Sequence, residues 1–230
     1  MSEQAATVRL VVLNPNTSAT VTAALDRRAR RCARPGTEVV TLCPARGPRA
    51  VESWADAYRS ASGMLERIAE HPQRFDALIM AGFGDVGVEA LRETVAVPVV
   101  DITHAGAAAA AAVGGNYAIV TTVAGMVDPI RASLRAGGLA GRCVGIEPIG
   151  AGIAESADDA AVLPRLADAC KLLAGDGASS ICLGSAAFSP YADSLRALLD
   201  VPVIDPLEAA IALVEGTLGR PARSEQDTTA

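Results

Sequence analysis

Two stretches of this chain repeat one another. Residues 77–101 read ALIMAGFGDVGVEALRETVAVPVVD, and residues 179–205 read SSICLGSAAFSPYADSLRALLDVPVID. Each runs from a strand-like apolar segment through a turn of small residues into a helical segment with a Leu-Arg pair. Each then ends in Val-Pro-Val, an aliphatic residue and Asp. Agreement across consecutive features in one order is the mark of duplication. Such a chain folds as two like halves, and whatever it does is expected where they meet.

Within each half, short aliphatic runs alternate with segments of helical period. Expected strands are Val8–Leu13, Thr37–Leu42, 76–80 and 97–101, then Tyr117–Thr121, 144–149 and 180–183. Val8–Leu13 is a β-branched and aliphatic run broken only by Arg9, as in a strand covered on both faces, which is the habit of parallel sheets. Helices are expected from a Thr17 or Ser18 cap to about Cys32, then over 51–70, 86–94, about 105–112 and Pro206–Leu218. Parallel neighbours need crossover connections, so the pattern predicts an α/β fold. The expected division is a first lobe of residues 7–103 plus 206–220, a second lobe of 104–205 and a disordered tail over 221–230.

Composition narrows the function. Only 3% of residues are aromatic, so the core must be built from Ala, Val, Leu and Ile. A net charge of -6 speaks against nucleic acid as a partner. No apolar run reaches the length of a membrane span, and MSEQAATVRL lacks a charged region leading into an apolar one. Cys32, Cys43, Cys143, Cys170 and Cys182 are odd in number and widely spaced, which reads as reduced thiols in a cytoplasmic protein. No pair has zinc-site spacing, and neither metal nor cofactor is expected.

Facing α/β lobes put their strand carboxyl ends on opposite walls of one crevice, where open sheets bind ligands. The walls are then residues 14–18 and 81–85 of the first lobe, and Thr121, Thr122 and 184–188 of the second. Their short polar side chains and glycine-rich turns, with free N–H groups opening helices, suit a small anionic ligand.

The motifs LNPNTS, GFGD, IVTT, LGSAAF and VPVID occur here in that order, with Gly47-Pro48 and Val51-Glu52-Ser53 between the first two. Together they resemble the aspartate/glutamate/hydantoin racemase superfamily, its hydantoin and allantoin racemase branch in particular, from about Arg9 to Leu218. The resemblance implies two pseudo-symmetric flavodoxin-like lobes, a cofactor-independent isomerase and a homo-oligomer. It also implies one cysteine on each wall, one thiolate taking a proton from the chiral carbon and the other thiol returning one to the opposite face. This chain carries Gly82 and Ser185 at those two positions. Loss of the first thiol alone would resemble the arylmalonate decarboxylase branch, but the second is absent too.

Non-thiol groups must then carry the protons. Ser185, Asp85 and His104 are the catalytic candidates, while Asn14, Asn16, Thr17, Gly82, Phe83, Thr121, Thr122, Gly184 and Ala186 are the expected substrate-binding residues. Each has a plainer reading. Asn16, Thr17, Ser18, Asp85 and Ser185 suit turns and helix caps, and a histidine at a strand end is often structural. Cys43 is a possible replacement thiol but reads better as packing, and Cys182 should point into the core. Arg27, Arg28, Arg30 and Arg31 read as a solvated helix end. The expected function is isomerisation of a small carboxylate or cyclic ureide through a stabilised anion. A decarboxylase, lyase or hydrolase on the same scaffold, or a binder without activity, are the alternatives.

Overall fold

A computed structural model describes residues 8–84, 86–152 and 161–218. Asp85 and the expected tail over 221–230 lie outside the described residues. The first half runs β1 (Val8–Leu13), α1 (Ala19–Cys32), β2 (Thr37–Leu42), α2 (Trp54–Ala69), β3 (Ala77–Met80), α3 (Val88–Thr94), β4 (Val99–Asp101) and α4 (Ile102–Gly114). The second runs β5 (Tyr117–Thr121), α5 (Val127–Ala136), β6 (Cys143–Pro148), α6 (Val162–Gly175), β7 (Ile181–Leu183), α7 (Ala192–Leu198), β8 (Val203–Ile204) and α8 (Pro206–Leu218). The strands form two parallel sheets of identical order, β2-β1-β3-β4 and β6-β5-β7-β8.

Local chemistry explains the elements. Leu10 to Leu13 of β1 and all four residues of β3 are buried, as continuous apolar runs require. Ser18 caps α1 by accepting from Val21 N, and Val21, Leu25 and Ala29 place its apolar stripe on the core. Ser53 caps α2 from Asp56 N at 3.2 Å. The duplication extends to contacts: Arg92 pairs with Glu89 on α3 and donates to Val99 O, as Arg196 pairs with Asp193 on α7 and donates to Val203 O.

Each lobe has an outer core, Leu78, Met80 and Leu91 with α2 in the first, Leu166, Leu183 and Leu195 in the second. A third, central core joins them. It draws Leu10, Val12 and Ile79 from the first sheet and Tyr117, Ile119 and Cys182 from the second, with residues of α1, α4, α5 and α8. α4 packs on α5, β5, β7 and β8, whereas α8 returns to α1, β3 and β4. The two helices also pack on each other, and Gly106 makes this possible. A Cβ there would lie 2.7 Å from Pro206 Cβ and 2.8 Å from Cys182 Sγ.

Two local expectations need correction. α4 begins at Ile102, before the expected start near 105, because Asp101 Oδ1 caps it from Thr103 N at 2.8 Å. Thr103 and His104 therefore belong to a helix, not to a strand-end loop. Arg28 is not solvated; it is buried and reaches Asp205, Asp193 and Glu208. The helical period puts it beside Leu25 and Ala29 on the inner face of α1.

Candidate active site

Gly82 and Ser185 line the same open crevice, between the carboxyl ends of the two sheets. The first lobe contributes Asn14, Asn16 and Phe83 beside Gly82, and the second contributes Thr122, Gly184 and Ala187 beside Ser185. Val21, Val51, Val86 and Met126 make the rest of the surface apolar. Among the described lining residues none is ionisable and none is a cysteine. Nor do the described residues hold a cluster of metal-ligating side chains.

The first wall is organised by asparagines. Asn14 Nδ2 donates to Asn16 Oδ1 at 3.0 Å and to Thr22 Oγ1 at 2.9 Å, while Asn14 Oδ1 accepts from Asn16 N at 3.2 Å. Asn16 Oδ1 also accepts from Ser18 N at 2.9 Å. Asn14 is thus spent on holding the loop. Asn16 keeps its Nδ2 without an acceptor among the described residues and lines the crevice. Ser60 Oγ donates to Pro15 O and fixes the loop from below. Thr17 is turned away, with both its N–H and its Oγ1 donating to Pro48 O at 3.0 and 3.2 Å.

The expected supply of free N–H groups on the glycine-rich turn is mostly used internally. Gly82 N donates to Met80 Sδ at 3.2 Å and Gly84 N to Thr103 Oγ1 at 2.9 Å. Gly84 needs its positive φ of 101°, and a Cβ there would come within 3.2 Å of Met126 and 3.4 Å of Pro129 across the crevice. Phe83 N has no acceptor among the described residues. Buried N–H groups are seldom left so, which marks it as a donor for a ligand or water.

Ser185 starts the turn Ala186–Tyr191 and caps it, its Oγ accepting from Ala187 N at 3.2 Å. The hydroxyl hydrogen goes to no described acceptor, and neither does Ser185 N. Gly184 is required by its neighbours, since a Cβ would lie 2.5 Å from Ile119 Cγ2 and 2.7 Å from Val120 O. Thr122 is buried and lines the crevice. Thr121 is turned inward and donates to Gly184 O at 3.3 Å. Ala186 sits in the central core, and Ala187 takes the expected place on the wall.

His104 does not reach the crevice. Thr103 faces Gly84, so the next residue of α4 is turned about 100° away. His104 lines a separate cavity with Asp101, Arg92 and the alanines of α4, its Nε2 lying 3.0 Å from Ser133 O. Cys43 is likewise absent from the crevice lining, and Cys182 is fully buried, with burial pushing its thiol well up. Val21, Val51, Val86 and Met126 are lining residues that pattern reading does not place on the walls, although Val51 lies in one of the quoted motifs.

The family model for Asp/Glu/Hydantoin racemase matches residues 10–214. A hydantoin racemase of Paenarthrobacter aurescens is 32% identical over 212 residues, covering 90% of this chain and 90% of that one. A hydantoin racemase of Pseudomonas sp. (strain NS671) is 30% identical over 211 residues, covering 90% of this chain and 85% of that one. The crystal structure of allantoin racemase from Pseudomonas fluorescens superposes with a TM-score of 0.87 at 36% identity, covering 91% of this chain and 90% of that one.

Proposed function

Because the chain belongs to the Asp/Glu/hydantoin racemase family and is an isomerase of the racemase type, we propose that it interconverts the enantiomers of a small cyclic ureide, a 5-substituted hydantoin or allantoin, in the crevice between Gly82 and Ser185. The observation that carries this reading is the meeting of those two residues on one cavity.

The chemistry is removal of the proton on the ring carbon beside the carbonyl, with its electron pair moving onto the carbonyl oxygen. Phe83 N and Ser185 N, one from each wall, are donors for that oxygen, and Asn16 Nδ2 and Thr122 Oγ1 are donors for the rest of the ring. Fixed donors stabilise such an anion without reorganising. Ser185 returns a proton on the second-lobe face, since its Oγ accepts from Ala187 N and its hydrogen is free for the ligand. Asp85, which follows Gly84 in sequence, is the proposed carrier for the other face. His104 is withdrawn from this role. A serine hydroxyl is a far weaker acid than a thiol, so the route through Ser185 is slow. A cytoplasmic homo-oligomer acting on a small anionic or ureide substrate completes the proposal.

Decay of the circular dichroism of an enantiopure 5-substituted hydantoin tests it. Ser185→Ala and Asp85→Asn are each expected to lower turnover about 100-fold or more, as loss of a positioned acid or base does, and Ser185→Cys to raise it. Unchanged rates in all three variants would overturn the assignment.

A further inference from the structure

Both halves tie their crevice turn to their crossover helix by the same device. The aspartate ending each Val-Pro-Val segment caps the helix that leaves for the other lobe. Asp101 Oδ1 accepts from Thr103 N at 2.8 Å, and Asp205 Oδ1 accepts from Leu207 N at 3.0 Å. From that oxygen each leads back to its own wall. Ser189, in the turn that Ser185 caps, donates to Asp205 Oδ1 at 2.9 Å. On the first wall the link has one more member, because Thr103 Oγ1 accepts the N–H of Gly84 at 2.9 Å.

The second carboxylate oxygens differ. Asp205 Oδ2 receives Arg28 Nε at 2.8 Å, a guanidinium that keeps its charge at any working pH. Asp101 Oδ2 is buried and has no hydrogen-bond partner among the described residues. It faces His104 Nδ1 at 3.7 Å, and His104 in turn leans on Ser133 of α5, 3.0 Å from its O and 3.2 Å from its Oγ. The charged groups bearing on Asp101 are His104 of α4 and Arg92 of α3, while α8 brings only Ala209 and Leu213 to the same cavity.

We infer that Asp101 and Asp205 are positioning residues for the two walls of the crevice, and that the first wall answers to pH, because protonation of Asp101 sets how firmly Thr103 grips Gly84. The inference rests on the crevice being the reacting site. Burial dominates at Asp101 and pushes its carboxyl up to about 6, against the pull of Thr103 N–H and of His104. Below that value the carboxyl is neutral and accepts weakly from Thr103; above it, the carboxylate holds Thr103, and through it Gly84, more tightly. On the second wall the corresponding carboxylate oxygen is held by Arg28.

Amide NMR of the ligand-free chain from about pH 5 to about 8 reads this directly. The Gly84 amide is expected to titrate with a midpoint of about 6, and the Leu207 amide to stay flat. Asp101→Asn should flatten Gly84. Thr103→Val should speed exchange of the Gly84 amide about tenfold, the loss of one hydrogen bond, and Thr103→Ser should restore it. In turnover of the hydantoin, Thr103→Val should lower kcat and flatten its pH profile with little change in KM, again with rescue by Thr103→Ser. A Gly84 amide that ignores pH, or exchanges equally in Thr103→Val and the parent chain, overturns the inference. A titrating Gly84 in a chain without turnover supports it and counts instead against the substrate reading.

Discussion

At residue 82 the first wall ends in a hydrogen, and the surroundings have closed over the space where a side chain would stand. An ideal Cβ would lie 2.9 Å from Met80 Sδ, 3.0 Å from Pro15 Cγ and 3.0 Å from Val86 Cγ2. All three are side-chain atoms, and only Met80 is long and unbranched enough to move aside. Gly82→Cys should therefore cost about 1–3 kcal/mol as an overpacked substitution. Combined with Met80→Ala it should cost less than the two changes summed, a favourable coupling readable in urea denaturation of the four chains of the cycle. Strict additivity would mean that Met80 does not fill this place. Gly82 and Ser185 were legible as opposed residues because the repeat puts their turns on facing walls and the family resemblance marks these two positions within them. Met80 was not, since nothing in a buried strand run shows which sulfur a following turn will meet. His104 misleads for a related reason: Ile102-Thr103-His104 reads as a loop after the strand end at Asp101 until the cap at Asp101 is seen.

Among the elements, α1 and α8 show how far local pattern reaches. Strands β1, β2 and β5 end where the sequence indicates. α5 and α6 escape that reading, each carrying a proline, Pro129 and Pro164, in its first turn, where the missing N–H costs nothing. Arg28 looks solvated among its neighbours Arg27, Arg30 and Arg31, yet its partners Asp205 and Glu208 come from the far end of the chain. It fastens α8 to α1, with Glu215 adding a second tie through Arg34 N at 2.8 Å and Thr37 Oγ1 at 2.7 Å. Arg28→Met leaves the fully buried Asp205 carboxylate without its cation. The expected loss of unfolding free energy is about 3–5 kcal/mol, the usual cost of breaking a buried pair on one side. Chemical denaturation checks it, and a loss below about 1 kcal/mol would show the pair to be replaceable by water.

For the molecule as a whole, duplication dictates the site. Two sheets of identical order, each sending its last helix across to the other lobe, share one central core. That exchange holds the strand ends face to face, and the crevice follows from it. The general place of the crevice was thus readable from two matching stretches of sequence. Its donors were not, because which N–H groups remain free depends on contacts such as Thr103 to Gly84 and Thr17 to Pro48 that no local pattern encodes. The most direct test is a crystal structure of the chain with a 5-substituted hydantoin bound. The expected result has the ring carbon that loses its proton lying between Gly82 and Ser185, with a ring oxygen on Phe83 N or Ser185 N. A ligand seated beside Asp101 and His104 instead, with the crevice between the lobes empty, would contradict it.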